Sequence, residues 1–249
     1  MDKYGLIGYP LTHSFSKRFF TEKFARESIN ATYENYEIPQ AGTLLEIVAS
    51  CPELKGLNCT IPHKQAIIPL MDELSPRAQK IGAVNVIRIQ HDVTGKAILK
   101  GYNSDIIGFK DSIKPLLTTN HHKALIIGTG GAAKAIALGL TEMGLSWTFV
   151  SRSRRPGMLG YEDLTPEVIK AHEVIINCSP VGMFPHTNEA PDLPYEALGR
   201  QHLLYDLIYN PSETEFMKRG AQYGAATKNG YEMLCLQAEA SWKIWNELE

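Results

Sequence analysis

The sequence is poor in the features that mark special environments. It has only four cysteines, Cys51, Cys59, Cys178 and Cys235. No two of them form a CxxC pair, so no zinc-type spacing exists, and a 249-residue chain needs no disulfide framework to hold a core. The thiols are therefore expected to be small, packed apolar residues. No run approaches the roughly 20 apolar residues that span a bilayer; the segment around Lys123–Gly128 is among the longest. The start, Met1-Asp2-Lys3-Tyr4-Gly5, lacks the apolar core of a secretion signal, and a cytoplasmic protein is the expectation. Excess charge of either sign is also missing. A formal net charge of -2 gives no basic field for a nucleic-acid backbone. No internal repeat, low-complexity tract or metal-ligand cluster is present; the expected partner is a small molecule, and the sequence leaves monomer and homodimer both open.

What is present is strand–helix alternation. Strands are expected at Lys3–Gly8, Tyr33–Ile38 and Leu54–Ile61, the last interrupted by Gly56. Helices are expected from near Ser16, with Phe20, Phe24 and Ala25 on one face, at Thr43–Ala49, and at Lys64–Leu74. Val84–Ile89 and Ala97–Lys100 form a hairpin pattern around His91–Gly95. From Lys123 the strands become continuous apolar runs: Lys123–Ile127, Trp147–Val150, Val174–Asn177, Leu203–Leu207 and Ala225–Lys228. Such runs, alternating with helices, indicate a parallel sheet covered on both faces. The fold class expected is thus α/β with two domains, residues 1–104 and 105–228. A last helix, Tyr231–Leu248, can join either on pattern alone.

Gly128-Thr129-Gly130-Gly131-Ala132-Ala133 fits G-x-G-x-x-G/A between a strand and a helix of small residues. The first glycine permits a tight turn, the second lets a pyrophosphate approach the main chain, and the small third position lets helix and strand pack. Free N–H groups at the helix start then face the phosphates. A dinucleotide site is the expectation, against a merely tight structural turn. An NAD site usually has a carboxylate about 20 residues on, for the ribose hydroxyls. Here Ser151-Arg152-Ser153-Arg154-Arg155 follows the second strand. Guanidinium and hydroxyl groups suit a 2′-phosphate, which favours NADP over a solvated basic loop.

The first half carries polar residues that are not filler. Ser14 and Ser16 lie one residue apart after a strand, where helix capping is the ordinary alternative. Asn58-Cys59-Thr60-Ile61-Pro62-His63-Lys64 ends a strand, and an expected helix start would set Lys64 against the helix dipole, hinting at a functional placement. Asn85 interrupts the apolar run Ala83–Ile87 and needs hydrogen-bond partners. Asp105 sits at the junction of the two halves, where ligands commonly bind, although it can equally cap the helix that follows.

Taken together, Ser14-Phe15-Ser16, Gly56–Lys64, Gly82–Asn85, Gly101–Asp105, Gly128–Ala135, Asn177–Met183, Asp206–Pro211, and Gly230–Leu234 with Gln237, in this order, resemble the shikimate dehydrogenase family. The resemblance implies an N-terminal α/β substrate domain, a Rossmann-type NADP-binding domain, and a C-terminal stretch, 229–249, returning to the first. It implies NADPH-dependent reduction of 3-dehydroshikimate to shikimate, with Lys64 and Asp105 as the catalytic pair. Ser14, Ser16, Thr60, Asn85, Tyr209 and Gln237 would contact substrate. Gly128, Thr129, Gly130, Gly131, Ala132, Ser151, Arg152, Ser153 and Arg155 would hold NADP. The family's usual Asn-Arg-Thr reads Ser151-Arg152-Ser153 here, Pro156 stands where a further basic residue is common, and Asn-Thr-Asp reads Asn103-Ser104-Asp105. Rival readings are a quinate/shikimate dehydrogenase working with NAD, a non-catalytic nucleotide-binding regulator, and a folate- or amino-acid-linked dehydrogenase of the same plan.

The arginine loop generates a first prediction. A charge-assisted phosphate contact is worth about 1.5–3 kcal/mol, or roughly tenfold or more in affinity. Arg152→Ala should weaken NADPH by about that factor while leaving NADH nearly unchanged, as titrated by nicotinamide fluorescence. An unaltered NADPH-to-NADH ratio would remove the assignment of this loop to the 2′-phosphate.

Overall fold

The computed structural model describes residues 1–11 and 15–248. Two compact units make up the chain: Met1–Ser104 with Gln237–Glu249, and Asp105–Leu236.

The first unit contains β1 (Asp2–Gly8), α1 (Phe15–Arg26), β2 (Ala31–Glu37), α2 (Thr43–Ser50), β3 (Leu54–Cys59), β4 (Glu73–Leu74), α3 (Pro76–Ile81), β5 (Val86–His91) and β6 (Ala97–Tyr102). Its sheet runs β2-β1-β3-β5-β6-β4. β1 is parallel to β2 and β3, and the β3–β5 and β5–β6 pairings are antiparallel. Side chains alternate across the sheet with period two. Ile7, Leu57 and Ile87 therefore face one core with Leu44, Val48 and Ile67. Tyr4, Leu6 and Val86 face another with Phe20, Phe24, Tyr33 and Trp245.

Three expectations are corrected here. Residues 64–74 form no α-helix: turns lead to a 3-10 turn at Ile68–Leu70 and then to β4. Pro69 is the cause, since it has no N–H and its ring collides with the carbonyl four residues back. One bond, Ile67 N–H to the His63 carbonyl, spans four residues, but from there on Ile68 N–H to Gln65 C=O, Leu70 N–H to Ile67 C=O and Met71 N–H to Ile68 C=O span three. Lys64 accordingly sits on a turn, not in the first turn of a helix. On α1, Ala25 is exposed, and the third inward residue is Lys23. The Lys23 ammonium reaches Glu27 at 3.0 Å and Glu239 at 2.8 Å and lies over the Trp242 ring. Its burial is satisfied by charge pairing. Gly56, finally, does not end β3, although the pairing with β1 slips beside it: Lys3 faces Leu54, Tyr4 faces Gly56, and Lys55 is skipped. A Cβ there would lie 2.3 Å from the Trp245 ring, whose Nε1 donates to the Ile87 carbonyl at 3.0 Å.

The second unit contains α4 (Asp105–Ile113), β7 (Lys123–Ile127), α5 (Gly131–Glu142), β8 (Ser146–Val150), β9 (Met158–Leu159), α6 (Pro166–Lys170), β10 (Val174–Asn177), β11 (Leu203–Asp206), α7 (Glu215–Gln222) and β12 (Ala226–Lys228). The final helix, α8 (Tyr231–Trp245), has its first six residues in this unit and the rest in the first. The sheet is parallel throughout, in the order β12-β11-β10-β7-β8-β9. Succession therefore runs outward from β7 in one direction and from β10 in the other. That is the doubly wound arrangement, in which ligands bind beyond the strand C-termini where the order reverses. Both faces are covered: Ala124, Ile126 and Ile176 pack on one side, Leu125, Ile127 and Ile175 on the other. Among the described residues no helix is long and apolar enough to cross a membrane.

Gly56→Ala tests the fit of α8 against β3. Overpacking a filled core costs about 1–3 kcal/mol, so the urea midpoint should fall by an amount corresponding to about 2 kcal/mol. An unchanged midpoint would mean that the Trp245 ring yields without cost.

Candidate active site

In the first unit the residues singled out from sequence gather at one end of the sheet. Asn85, just before β5, is 2% exposed, and Gln237 on α8 is 8% exposed. Ser104 donates its main-chain N–H to Asn85 Oδ1 at 2.7 Å. Asn85 Nδ2 donates to Ser104 Oγ at 3.1 Å and to Gln237 Oε1 at 3.4 Å. The Asn85 carbonyl accepts from the Cys59 N–H at 2.8 Å and from Asn58 Nδ2 at 3.3 Å. The neighbouring Val84 N–H donates to the Lys64 carbonyl at 2.7 Å. β3, the Lys64 turn and the start of β5 are thus joined through two adjacent residues. Thr60 follows β3 directly, its N–H bonded to the Ile7 carbonyl at 2.9 Å. His63 is buried with Nε2 2.7 Å from the Ile38 carbonyl, a packed neighbour.

Ser16, the second residue of α1, shares a hydrogen bond with the Tyr33 hydroxyl. Burial holds that hydroxyl well above the ordinary tyrosine range. Tyr33 in turn donates to Asn58 Oδ1 at 2.9 Å, and Asn58 Nδ2 donates to Ser241 Oγ at 2.9 Å. Ser14 lies outside the described residues, as does His13.

Tyr33, Asn58, Ser104 and Ser241 join the polar cluster although the sequence assigns them no role. Two carried a signal. Asn58 interrupts an apolar strand as Asn85 does, and Ser241 lies one helical turn beyond Gln237, on the same face.

In the second unit the glycine turn closes β7 and opens α5. Gly128 has φ +107°, a conformation that disfavours any side chain, and a Cβ there would meet the Cys178 main chain at 3.2 Å. Its N–H bonds the Val150 carbonyl at 2.9 Å, and the Cys178 N–H bonds the Ile127 carbonyl at 2.8 Å. The turn is therefore clamped between the ends of β8 and β10, at the reversal of strand order. Above Gly130 an added Cβ would meet no atom within 4 Å. An open space over main-chain N–H groups at a helix start fits a pyrophosphate. Thr129, Gly131 and Ala132 complete the turn, with the Lys134 N–H bonded to the Gly130 carbonyl.

After β8, the Ser153 N–H donates to Ser151 Oγ at 3.3 Å, which turns the arginine loop. Arg152 and Arg155 are exposed, whereas Arg154 lies 3.6 Å from Asp163. Guanidinium groups on an exposed loop at this strand end fit a 2′-phosphate.

Asp105 is buried in the first turn of α4, where the helix dipole favours a carboxylate. Asp206, at the end of β11, is fully buried. It accepts from Asn177 Nδ2 at 3.1 Å, the Ile208 N–H at 3.0 Å and Thr214 Oγ1 at 2.6 Å. Burial nevertheless outweighs these donors and pushes its pKa up to about 6. Burial also raises the Cys178 thiol, with the charges of Asp206 and Asp105 acting in the same sense. Asp206 thereby ties the Asn177–Gly182 loop to the loop carrying Tyr209, which is 38% exposed. The Phe184 N–H joins the two loops again at the Asn210 carbonyl, at 3.2 Å.

Comparisons with known proteins agree with this geometry. Residues 6–87 match the family model described as the shikimate dehydrogenase substrate binding domain. The chain is 35% identical over 266 residues to a shikimate dehydrogenase (NADP(+)) of Methanococcus maripaludis, covering 98% of this chain and 92% of the relative. The solved shikimate 5-dehydrogenase of Thermus thermophilus in complex with NADP(H) and shikimate superposes with a TM-score of 0.86 at 26% identity, over 99% of this chain and 94% of that one. Quinate dehydrogenase from Corynebacterium glutamicum in complex with NAD gives the same TM-score and identity over 100% and 94%. Backbone likeness alone thus leaves the choice of substrate and cofactor to the side chains.

The state of Asp206 has a measurable consequence. Its pKa of about 6 in the folded chain exceeds the ordinary 3.8, so the folded state binds the proton more tightly. Stability from this group must then fall as pH rises from about 4 to about 6, and stay lower above. An offset of about two pH units amounts to about 3 kcal/mol. The stability of the protein minus that of Asp206→Asn, from urea unfolding, should decline by roughly that amount between pH 4 and pH 7. Parallel pH profiles for the two proteins would contradict it.

Proposed function

The chain belongs to the shikimate dehydrogenase family, and we propose that it catalyses the NADPH-dependent reduction of 3-dehydroshikimate to shikimate, and the reverse oxidation, in the shikimate pathway to chorismate and the aromatic amino acids. The observation that carries this reading is the buried Asn85–Ser104–Gln237 cluster in the first unit. Paired side-chain amides near a serine and a threonine suit a small polyhydroxylated acid, because each can hold a hydroxyl or carboxylate oxygen in a fixed direction. A non-catalytic nucleotide-binding regulator has no need of that set. The NAD-linked quinate reading is disfavoured by the lack of any carboxylate in Ser151–Arg155.

Residues 1–104 with 229–249 form the substrate part in this reading, and 105–228 the NADP part. Ser14, Ser16, Thr60, Asn85, Tyr209 and Gln237 hold the substrate. The turn Gly128–Ala132 holds the pyrophosphate, and Ser151, Arg152, Ser153 and Arg155 hold the adenosine 2′-phosphate. The bound dinucleotide supplies the hydride. Lys64 does what an ammonium can do at a ketone: it stabilises the oxygen as negative charge develops there and delivers the proton. Asp105 supplies the negative charge of the catalytic pair. A cytoplasmic location and a monomeric or homodimeric state belong to the same reading.

Lys64→Ala is the decisive variant. NADP reduction by shikimate, followed at the nicotinamide absorbance, should lose about two to four orders of magnitude in kcat, the usual worth of a general acid–base group. NADPH affinity should stay within about twofold, well under the 1.4 kcal/mol that a tenfold change represents. Equal losses in both would make Lys64 structural. Quinate and NAD as alternative substrates in the same assay decide against the catabolic reading if they turn over poorly.

A further inference from the structure

We propose that Asp206 is a positioning residue for the dinucleotide turn: acting through Asn177, it sets the place of the Cys178–Ser179 peptide against Gly128, and with it the shape of the turn that holds the pyrophosphate. This rests on the reading of Gly128–Ala132 as the pyrophosphate site. The peptide concerned is identified by its closeness to the turn. A Cβ on Gly128 would lie 3.2 Å from the carbonyl carbon and oxygen of Cys178 and 3.4 Å from the nitrogen of Ser179. These atoms belong to one peptide unit, so that unit is the wall against which the glycine turns. Its N–H donates to Asn177 Oδ1 at 3.0 Å.

Asn177 closes the segment after β10 on itself. Its Oδ1 also accepts from Ser179 Oγ at 2.6 Å, its Nδ2 donates to the Val181 carbonyl at 3.3 Å, and the Val181 N–H donates to Ser179 Oγ at 3.3 Å. The second Nδ2 hydrogen leads out of this segment, to Asp206 Oδ1 at 3.1 Å. Asp206 is a fixed acceptor. It pairs with Asn177 in the register of β10 and β11. Its Oδ1 also accepts from the Ile208 N–H at 3.0 Å, and its Oδ2 accepts at 2.6 Å from Thr214 Oγ1, the cap of α7. Asn177, Asp206 and Thr214 are all 0% exposed, so water does not replace a partner that is removed. Without the carboxylate one Asn177 N–H is buried unpaired. The closed segment then shifts to satisfy it and carries the Cys178–Ser179 peptide along. Asparagine at 206 keeps an oxygen for Asn177 and Ile208 and presents its NH2 to the Thr214 hydroxyl, which can accept.

Titration of NADPH by nicotinamide fluorescence tests this without turnover. Asp206→Ala should raise the NADPH Kd about tenfold, the order of one lost hydrogen bond. Asp206→Asn should stay within about threefold of the parent, less than one hydrogen bond is worth. In an Asn177→Ala background Asp206→Ala should add almost nothing to Kd, since the group it acts through is gone. A purely structural role would lower the fraction of protein that binds and leave Kd alone. That result, equal losses for Asp206→Asn and Asp206→Ala, or full additivity with Asn177→Ala would overturn the proposal. Should Asp206→Ala not fold, Asn177→Ala by itself reads the same link, and an unchanged Kd overturns the proposal. Gly130→Val probes the reading beneath it. Gly130 has φ -75°, open to any residue, and a side chain there enters the space above the turn. If Gly130→Val binds NADPH as the parent does, the assignment of the turn itself fails, and the proposal with it.

Discussion

The hydrogen bond from the Ser104 main chain to Asn85 Oδ1 governs the polar end of the first unit. An amide buried at the end of an apolar strand costs free energy unless every donor and acceptor is met. Here Ser104, after β6, and Gln237, on α8, meet the side chain, and Asn58 of β3 meets the main-chain carbonyl of the same residue. β3 and α8 also carry apolar residues of the surrounding core, such as Leu57 and Trp245. Packing and polarity therefore enforce one another: the core brings the elements together, and the amides permit one arrangement of them. Ser104 and Gln237 also stand at the two points where the chain passes between units, and they are bonded to each other.

The second unit depends on a different constraint, the closeness of two main chains. Gly128 passes so near Cys178 that a Cβ would crowd its main chain at 3.2 Å, because β7 and β10 are adjacent strands whose connections leave in opposite directions. This geometry opens a space over Gly130 and turns the start of α5 toward it. Asp206 secures the rim beside it by gathering three donors from three segments. Its raised pKa is the cost of doing so in a buried place, where desolvation weighs more than hydrogen bonding.

Much of this was legible beforehand, for physical reasons. Continuous apolar strands with a glycine turn between strand and helix can mean little else than a covered parallel sheet with a phosphate-type turn. Asn85 stood out because an amide in an apolar run needs an explanation. What misled was local pattern without its context. The apolar spacing of residues 64–74 suits a helix, but Pro69 removes the bond that a helix needs there. Ala25 was expected on the inward face of α1, but Lys23 takes that place, with Glu27 and Glu239 pairing its charge. Gly56 looked like a break in a strand, and the Trp245 ring almost 190 positions later explains it.

By itself the sequence determined the alternation of elements, the dinucleotide turn, the absence of an acid after β8, and the identities of the amides and hydroxyls. These are properties of neighbouring residues, set by periodicity, side-chain size and charge. The tertiary structure alone decided which amide faces which, that Ser104 and Ser241 join them, and that Asp206 holds its proton to about pH 6. Hydrogen-bond polarity and desolvation depend on partners brought from distant parts of the chain, and no local pattern encodes them.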